Sequence, residues 1–334
     1  MTQVLEVLKI GPAVTVQDAG WSGTLASGLS RGGAADTFAL SCVWALLGQS
    51  GSAVLEMAGF GGTFRVLNPA RIAVAGAGMD LRLEGSALLQ NAVHQVEAGQ
   101  ILEIGAARSG VYGYLGVGGG FETPRFHGSA STHRAAGLGQ VIETGQVLNM
   151  GDDPNPQRVG LALPEMTKSN AVIRVVATAH TDLFSQDTKA RFEQTLFVRG
   201  AKGNRQGVAL ESHESFALKG GQSIPSETVI PGDIQIPGQG APFALLADSQ
   251  TTGGYPRIAA ILPSDIPRIA QTVAGEELRF KFISREEGIK IERMDRKMRA
   301  QLAKRCVPIL RDPAHMNDLL SYQLISGVSA GESE

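Results

Sequence analysis

The run Ile230-Pro-Gly-Asp-Ile-Gln-Ile-Pro237, continuing as Gly238-Gln-Gly-Ala-Pro-Phe-Ala-Leu-Leu-Ala-Asp-Ser-Gln-Thr-Thr-Gly-Gly-Tyr-Pro-Arg-Ile-Ala-Ala-Ile-Leu-Pro263, decides how the chain is read. Two short apolar runs within it, Phe243 to Ala247 and Ile258 to Leu262, are strand candidates. Between them lies a polar cluster, Asp248, Ser249, Gln250, Thr251 and Thr252, followed by Gly253 and Gly254. A tight turn requires glycine, asparagine or proline, because φ must be positive or fixed there. It does not require Gln-Thr-Thr. Those side chains are hydrogen-bonding groups set beside glycines that let a ligand or a second backbone come close. Upstream, residues 233–236 alternate. The two-residue period of a strand puts Asp233 and Gln235 on one face and Ile234 and Ile236 on the other. From residue types alone, a binding site and a buried polar cluster closing a barrel corner fit equally well.

The rest of the composition agrees with a β-rich chain. Glycine is frequent, at 42 of 334 residues, and aromatics are scarce at 5%. Without a collagen period, many glycines among short Val/Ile/Leu runs read as tight turns between strands. The length suits two ordinary domains. Net charge is -2, so nothing points to nucleic acid or an anionic membrane surface as partner. Charged residues make up only 19%, which favours a surface partly covered by another subunit. The two cysteines, Cys42 and Cys306, have neither metal-ligand spacing nor a disulfide pattern. No secretory segment follows Met1 and no apolar run is long enough to span a bilayer, so a cytoplasmic protein is expected.

Working outward, residues 4–16 read as a β-arm or hairpin punctuated by Gly11-Pro12. After the glycine-rich loop 28–35, Asp36 is placed to cap a helix over Thr37–Leu47, with Gly48 as its stop. Strands are expected within residues 63–67, 71–75, 80–83 and 101–104. Gly118-Gly119-Gly120 lacks the Lys-Ser/Thr of a phosphate loop and reads as a strand-to-strand turn. Ser129 and Ser131 lie near His127 and His133, but no Gly-x-Ser-x-Gly elbow surrounds either serine. Turn formers from Gly151 to about Asn170 mark a linker. A second β-rich block opens at Val172. After a strand over 277–282, Ser284 to Arg305 places Ile291, Met294, Met298 and Leu302 at helical spacing. Residues from about 326 are small and polar and are expected to fray.

Pro-Gly-Asp-Ile-Gln-Ile-Pro237 followed by Ala247-Asp-Ser-Gln-Thr-Thr-Gly-Gly-Tyr-Pro256 resembles the family of allophanate hydrolase subunit 2 and the C subunit of 5-oxoprolinase. This family also forms the A and B half of the carboxyltransferase domain of urea amidolyase. The resemblance extends over roughly residues 3–283. It includes Gln17-Asp18, Gly33-Ala-Ala-Asp36, Leu55-Glu56, Tyr114-Leu115, Gly128-Ser-Ala-Ser-Thr132 and Arg205. It implies a mainly β fold of two tandem cyclophilin-like β-barrels with few helices. These would be a subdomain A-like barrel over residues 1–155, a subdomain B-like barrel over 171–283, and a C-terminal helical extension over 284–334. It implies a subunit of a biotin-dependent carboxyltransferase, or of an ATP-dependent 5-oxoprolinase or urea amidolyase-type complex, acting on a small polar amide. Its partners would be a sister subunit with the carboxyltransferase C and D domains and a biotin carrier and carboxylase or a hydrolase subunit. Biotin would ride on a separate carrier and ATP would be used through partner subunits, with no cofactor held covalently here.

The chemistry implied needs hydrogen bonds that fix an amide or a ureido ring and donors for oxyanion charge. Carried over by position, Arg205, Gln235, Asp248 and Gln250 are the catalytic candidates. Arg205 could hold a carboxylate bidentately. Thr251, Thr252, Gly253, Tyr255, Ser129, Ser131 and Thr132 are the candidates for binding substrate. The chain departs from the family pattern mostly in its first half, where Trp21 follows Gly20 in place of arginine, Val43-Trp44 replaces Ala-Asn, and Gln49 replaces asparagine. These losses point to an altered substrate, to a weakened first-domain site, or to a non-catalytic regulatory or assembly partner of the sister subunit. The latter is the role of family members that antagonise an inhibitor of a sporulation kinase.

Overall fold

The computed structural model describes residues 2–164, 172–218 and 224–309. The expected end of the linker and the polar C-terminal tail from about 326 lie outside these residues.

The chain is mainly β, as its glycine-rich texture implies. A ten-stranded sheet occupies residues 2–150 and an eight-stranded sheet residues 173–282. The first is built on two long antiparallel strands, Ala70–Leu83 and Ile101–Val117, paired from Ile72 with Val117 to Leu83 with Leu102. Irregularities between Gly76 and Leu81 let so long a strand curl toward closure. Strand Ala70–Leu83 is buried on both faces along its first half. Ile72 and Val74 enter the barrel core, while Ala73 and Ala75 lie under helix α1 (Thr37–Leu47). Small residues on that face let the helix sit close: a Cβ on Gly116 would overlap Val43 Cγ1.

Helix α1 is apolar around most of its circumference, the pattern of a helix buried on all sides. The Asp36 side chain accepts from the Phe38 and Ala39 amides at 2.9 and 2.8 Å, and Gly48 ends the helix at φ 67°. The cap and the stop are those read from the sequence. The N-terminal strands Thr2–Ile10 and Thr15–Gln17 are not a hairpin. The first pairs with Phe60–Val66 and Val147–Met150, the second with Val54–Ala58. Local periodicity marks both as strands, but their partners are fixed by distant apolar faces.

The second sheet nearly closes on itself. Its strand order begins at Glu277–Leu278 and ends at Phe280–Phe282, which are adjacent in sequence. One pairs antiparallel with Phe197–Asn204, the other parallel with Ile173–Val176. Phe192, Phe197, Phe216 and Phe280 fill this barrel with ring centroids 5.1–5.6 Å apart. Phe192 comes from α2 (Gln186–Gln194), a polar helix whose single buried residue left no amphipathic stripe to read. Helix α3 (Ile266–Gln271) is also too short to show a period.

Helix α4 (Arg285–Ala300) starts from the Ser284 cap, and Leu302 beyond it is fully buried. The expected stripe holds at three of its four positions: Leu302 is in the core, Met298 packs against it and Ile291 is half-buried. Met294 is 64% exposed, while Gly288 packs on Leu262 and Val176 and Arg299 lies over the Phe38 ring. The ion pair of Asp295 with Arg299 takes the place on the inner face that the apolar spacing assigned to Met294.

Candidate functional site

Arg205 sits in the turn between strands Phe197–Asn204 and Gly207–Glu211, and its side chain crosses to the first half of the molecule. Nε and Nη2 donate to the Asp248 carboxylate at 2.7 and 2.8 Å, Nη2 also to the Gly33 carbonyl at 2.6 Å, and Nη1 to Glu56. The bidentate grip expected of Arg205 is made on a carboxylate of its own chain. Glu56 in turn accepts from the Ala35 amide at 2.8 Å and the Tyr114 hydroxyl at 2.7 Å. Tyr114 accepts from the Asp36 amide, and Asp36 accepts from Gln271 Nε2 at 2.8 Å. Gln271, on α3, also accepts the amides of Val111 and Tyr112. A continuous polar network therefore ties the second sheet to α1 and the first sheet.

Electrostatics follow the geometry. Burial opposes charge on Arg205, yet Glu56 and Asp248 hold its pKa above the ordinary arginine value. Burial raises the Asp36 carboxyl, against the pull of its cap bonds and Gln271. Burial and the Glu56 charge push the Tyr114 phenol well above its usual range. Glu56, Tyr114 and Gln271 were not singled out for any role from sequence. The first two lie within matching family motifs, and Gln271 carries no local signal.

The first-half candidates converge on Asp18. Ser129 and Ser131 donate to its Oδ1 at 2.6 and 2.7 Å, and the Ala130 amide donates to Oδ2 at 2.8 Å. Thr132 donates to the Gln140 carbonyl at 2.8 Å. All three hydroxyl side chains are buried. Gln17 beside them is fully buried, and its Oε1 has no partner among the described residues. His133 Nδ1 accepts from the Ala136 amide, so its proton lies on Nε2 and is directed at Ser30, 2.8 Å away. That arrangement does not activate the serine. Trp21, where the family pattern has arginine, is buried and donates from its indole to the Phe126 carbonyl at 2.7 Å.

Around the deciding stretch, Gln235 and Gln250 form an amide pair, with Gln250 Nε2 donating to Gln235 Oε1 at 3.1 Å. Gln235 is 2% exposed, and its Nε2 lacks a partner among the described residues. A Cβ on Gly253 would lie 2.6 Å from that nitrogen, so only glycine permits the approach. The neighbouring Ser249 hydroxyl is likewise buried without a partner among the described residues. Thr251 is half-buried, while Thr252 and Tyr255 are exposed. Arg205 and Asp248 thus lie in the inter-half network, and Gln235, Gln250 and Gly253 cluster beside it. Ser129 and Ser131 belong to the separate Asp18 cluster, and Thr132 lies beside it, bonded to the Gln140 carbonyl.

Next to the network lies a cleft of about 260 Å³. Its walls come from the loop before α1, from α1 itself, from the second half through Pro231, Ala247, Pro263 and Ile266, and from α4 through Arg299. The Gly118–Gly120 turn joins strands Ile101–Val117 and Phe121–Glu122, the strand-to-strand role read from its sequence. A Cβ on Gly118 would meet the Asp153 carboxylate, which Arg71 holds bidentately. Among the described residues no helix is long and apolar enough to cross a membrane.

Comparison with known proteins agrees with this architecture. The carboxyltransferase domain, subdomain A and B, matches residues 27–282. The C subunit of 5-oxoprolinase from Escherichia coli is 30% identical over 307 residues, covering 90% of this chain and 98% of that protein. That of Haemophilus influenzae is 29% identical, covering 87% and 94%. The solved urea carboxylase of Kluyveromyces lactis superposes with a TM-score of 0.83 at 22% identity, over 93% of this chain. The chain spans 31% of that structure's length, and about half (55%) of another similar solved chain. With most of its length matched, the chain belongs to the family of carboxyltransferase subdomains A and B.

Proposed function

We propose that this chain is the AB-type component of a 5-oxoprolinase-like complex, contributing the amide-recognition part of a site completed by a sister subunit with the C and D domains. The two sheets are read as subdomains A and B, followed by the α4 extension. The observation that carries the reading is the Gln235–Gln250 pair. Gln235 Nε2 is a buried donor without an acceptor among the described residues, and leaving such a group unmatched costs about 1–3 kcal/mol. A substrate carbonyl reaching it as the 249–254 loop shifts would recover that cost, while Gln250 Oε1 accepts the substrate N–H. A donor and an acceptor side by side match an amide, a lactam or a ureido group. Arg205 and Asp248 act as positioning residues, since their bonds fix the turn that leads into Ser249 and Gln250.

The same amide pair suits the ureido ring of a biotin carried on another chain, which when carboxylated would supply the carboxyl group for transfer. Nucleotide chemistry is assigned to partner subunits. The test is ATP-dependent hydrolysis of 5-oxoproline by the co-purified complex, with urea as the alternative substrate. Gln235→Leu should lower kcat/KM by about 100-fold while the complex still assembles. Full activity in that variant would remove the amide pair from the site. One observation favours a second reading, a non-catalytic assembly or regulatory partner: Arg205, Asp248, Ser129 and Ser131 are all engaged within the chain. A stable complex that turns over neither compound would support it.

A further inference from the structure

We propose that the cleft between the two halves binds a small organic monocarboxylate, with Arg31 as its anion contact. This site uses neither Gln235 nor Gln250, and it does not rest on the function proposed above. Two arginines and no acidic residue line the cleft. Arg299 is already neutralised by Asp295 at 2.6 Å, and it reaches Thr37 and Ser41 only at 3.3 and 3.5 Å. The Arg31 guanidinium has no hydrogen-bond or ion-pair partner among the described residues.

The backbone that presents Arg31 is held on every side. Its carbonyl accepts from the Trp21 amide at 2.8 Å, and the Gly32 amide donates to the Ala247 carbonyl at 3.0 Å. The Gly33 carbonyl accepts from Arg205, and the Ala34 amide donates to the Asp18 carbonyl at 3.0 Å. A cation on so fixed a loop gives up little backbone freedom when it binds. One uncompensated positive charge matches one negative charge, which favours a monocarboxylate over a phosphate dianion. Leu40, Trp44, Pro231, Pro263 and Ile266 supply apolar walls. A bare inorganic anion would lose hydration against them and gain nothing, whereas an acid with an apolar body fills them. The volume, below the usual range of about 300–1,000 Å³ for drug-sized ligands, limits that body to a compact one. Because both halves and α4 line the cleft, an occupant also bridges them.

The test is titration calorimetry on the full-length chain with benzoate as probe, benzamide as its neutral isostere, and inorganic phosphate as the bare anion. Benzoate should bind saturably and raise the melting temperature, with benzamide and phosphate each weaker by about tenfold or more. Arg31→Gln should weaken benzoate by about tenfold and leave the melting temperature of the free protein nearly unchanged, since the Arg31 side chain makes no hydrogen bond or ion pair among the described residues. Equal binding of benzoate and benzamide would overturn the proposal. So would tighter binding of phosphate, or benzoate affinity indifferent to Arg31→Gln.

Discussion

Cys42 shows how far one buried side chain can depart from its free chemistry. It lies on α1 and is 6% exposed. Burial, then the nearby Asp36 charge, pushes its thiol from the ordinary 9.0 up to about 12, against the opposing pull of Arg299. The folded protein therefore favours the protonated form more than the unfolded chain does. The resulting stabilisation is complete below pH 9 and is lost as pH rises from 9 toward 12. Relative to Cys42→Ala, the wild type should lose about 1 kcal/mol of unfolding free energy per pH unit above 9. Urea unfolding of both proteins at pH 8 and 10.5 measures this, and a gap that stays constant would refute it. At this scale the sequence was an uneven guide. Residue type identified Arg205, Asp248, Gln235 and Gln250 as polar groups worth placing. It could not say that Arg205 would reach Glu56, 149 positions away, because ion-pair partners leave no local trace. Alternation put Asp233 and Gln235 on one face, and both are buried, since Arg257 reaches Asp233 and Gln250 and Gly253 close over Gln235.

Among the elements, those with an apolar pattern and a cap were legible and those held by tertiary contacts were not. Helix α1 announced itself through Asp36, a continuous apolar run and Gly48. Helix α2 carries only a Ser185 cap and α3 only a first-turn proline, without a period to support them, and their Phe192 and Gln271 matter only through what they touch. Helix α4 is legible in its spacing, and Met294 alone leaves the stripe, because the Arg299 stem packs over Phe38 beside it. The segment after it is the better anchor. Leu302 is fully buried, in the core cluster that includes α1, and Arg158 donates to the carbonyls of Leu46, Ala45 and Ala303 beside it. Leu302→Ala should therefore cost about 2–4 kcal/mol, the range for a buried leucine whose cavity cannot collapse. Met294→Ala, on the exposed face of the same helix, should change stability by less than about 0.5 kcal/mol. Urea denaturation of the pair checks both values, and a large loss at Met294 would mean that the helix docks in another orientation.

For the whole molecule, the question is whether two barrels make one folding unit. One hydrophobic cluster runs from α1 and the first sheet through Phe192, Phe197 and Ile234 of the second half. The Arg205 network crosses the same boundary, and α4 leaves the second sheet to end against α1. Both tryptophans, Trp21 and Trp44, lie in the first half. Tryptophan fluorescence therefore reports that half, while far-ultraviolet circular dichroism reports both. In the wild type the two signals should change together in urea, as a two-state transition requires. Arg205→Met leaves Glu56 and Asp248 buried near one another without their shared cation, and should cost about 3–5 kcal/mol. Because that loss falls on the boundary and not within either barrel, the two signals should separate in the variant. Separation already present in the wild type would show that the halves unfold independently and that the network is not what couples them.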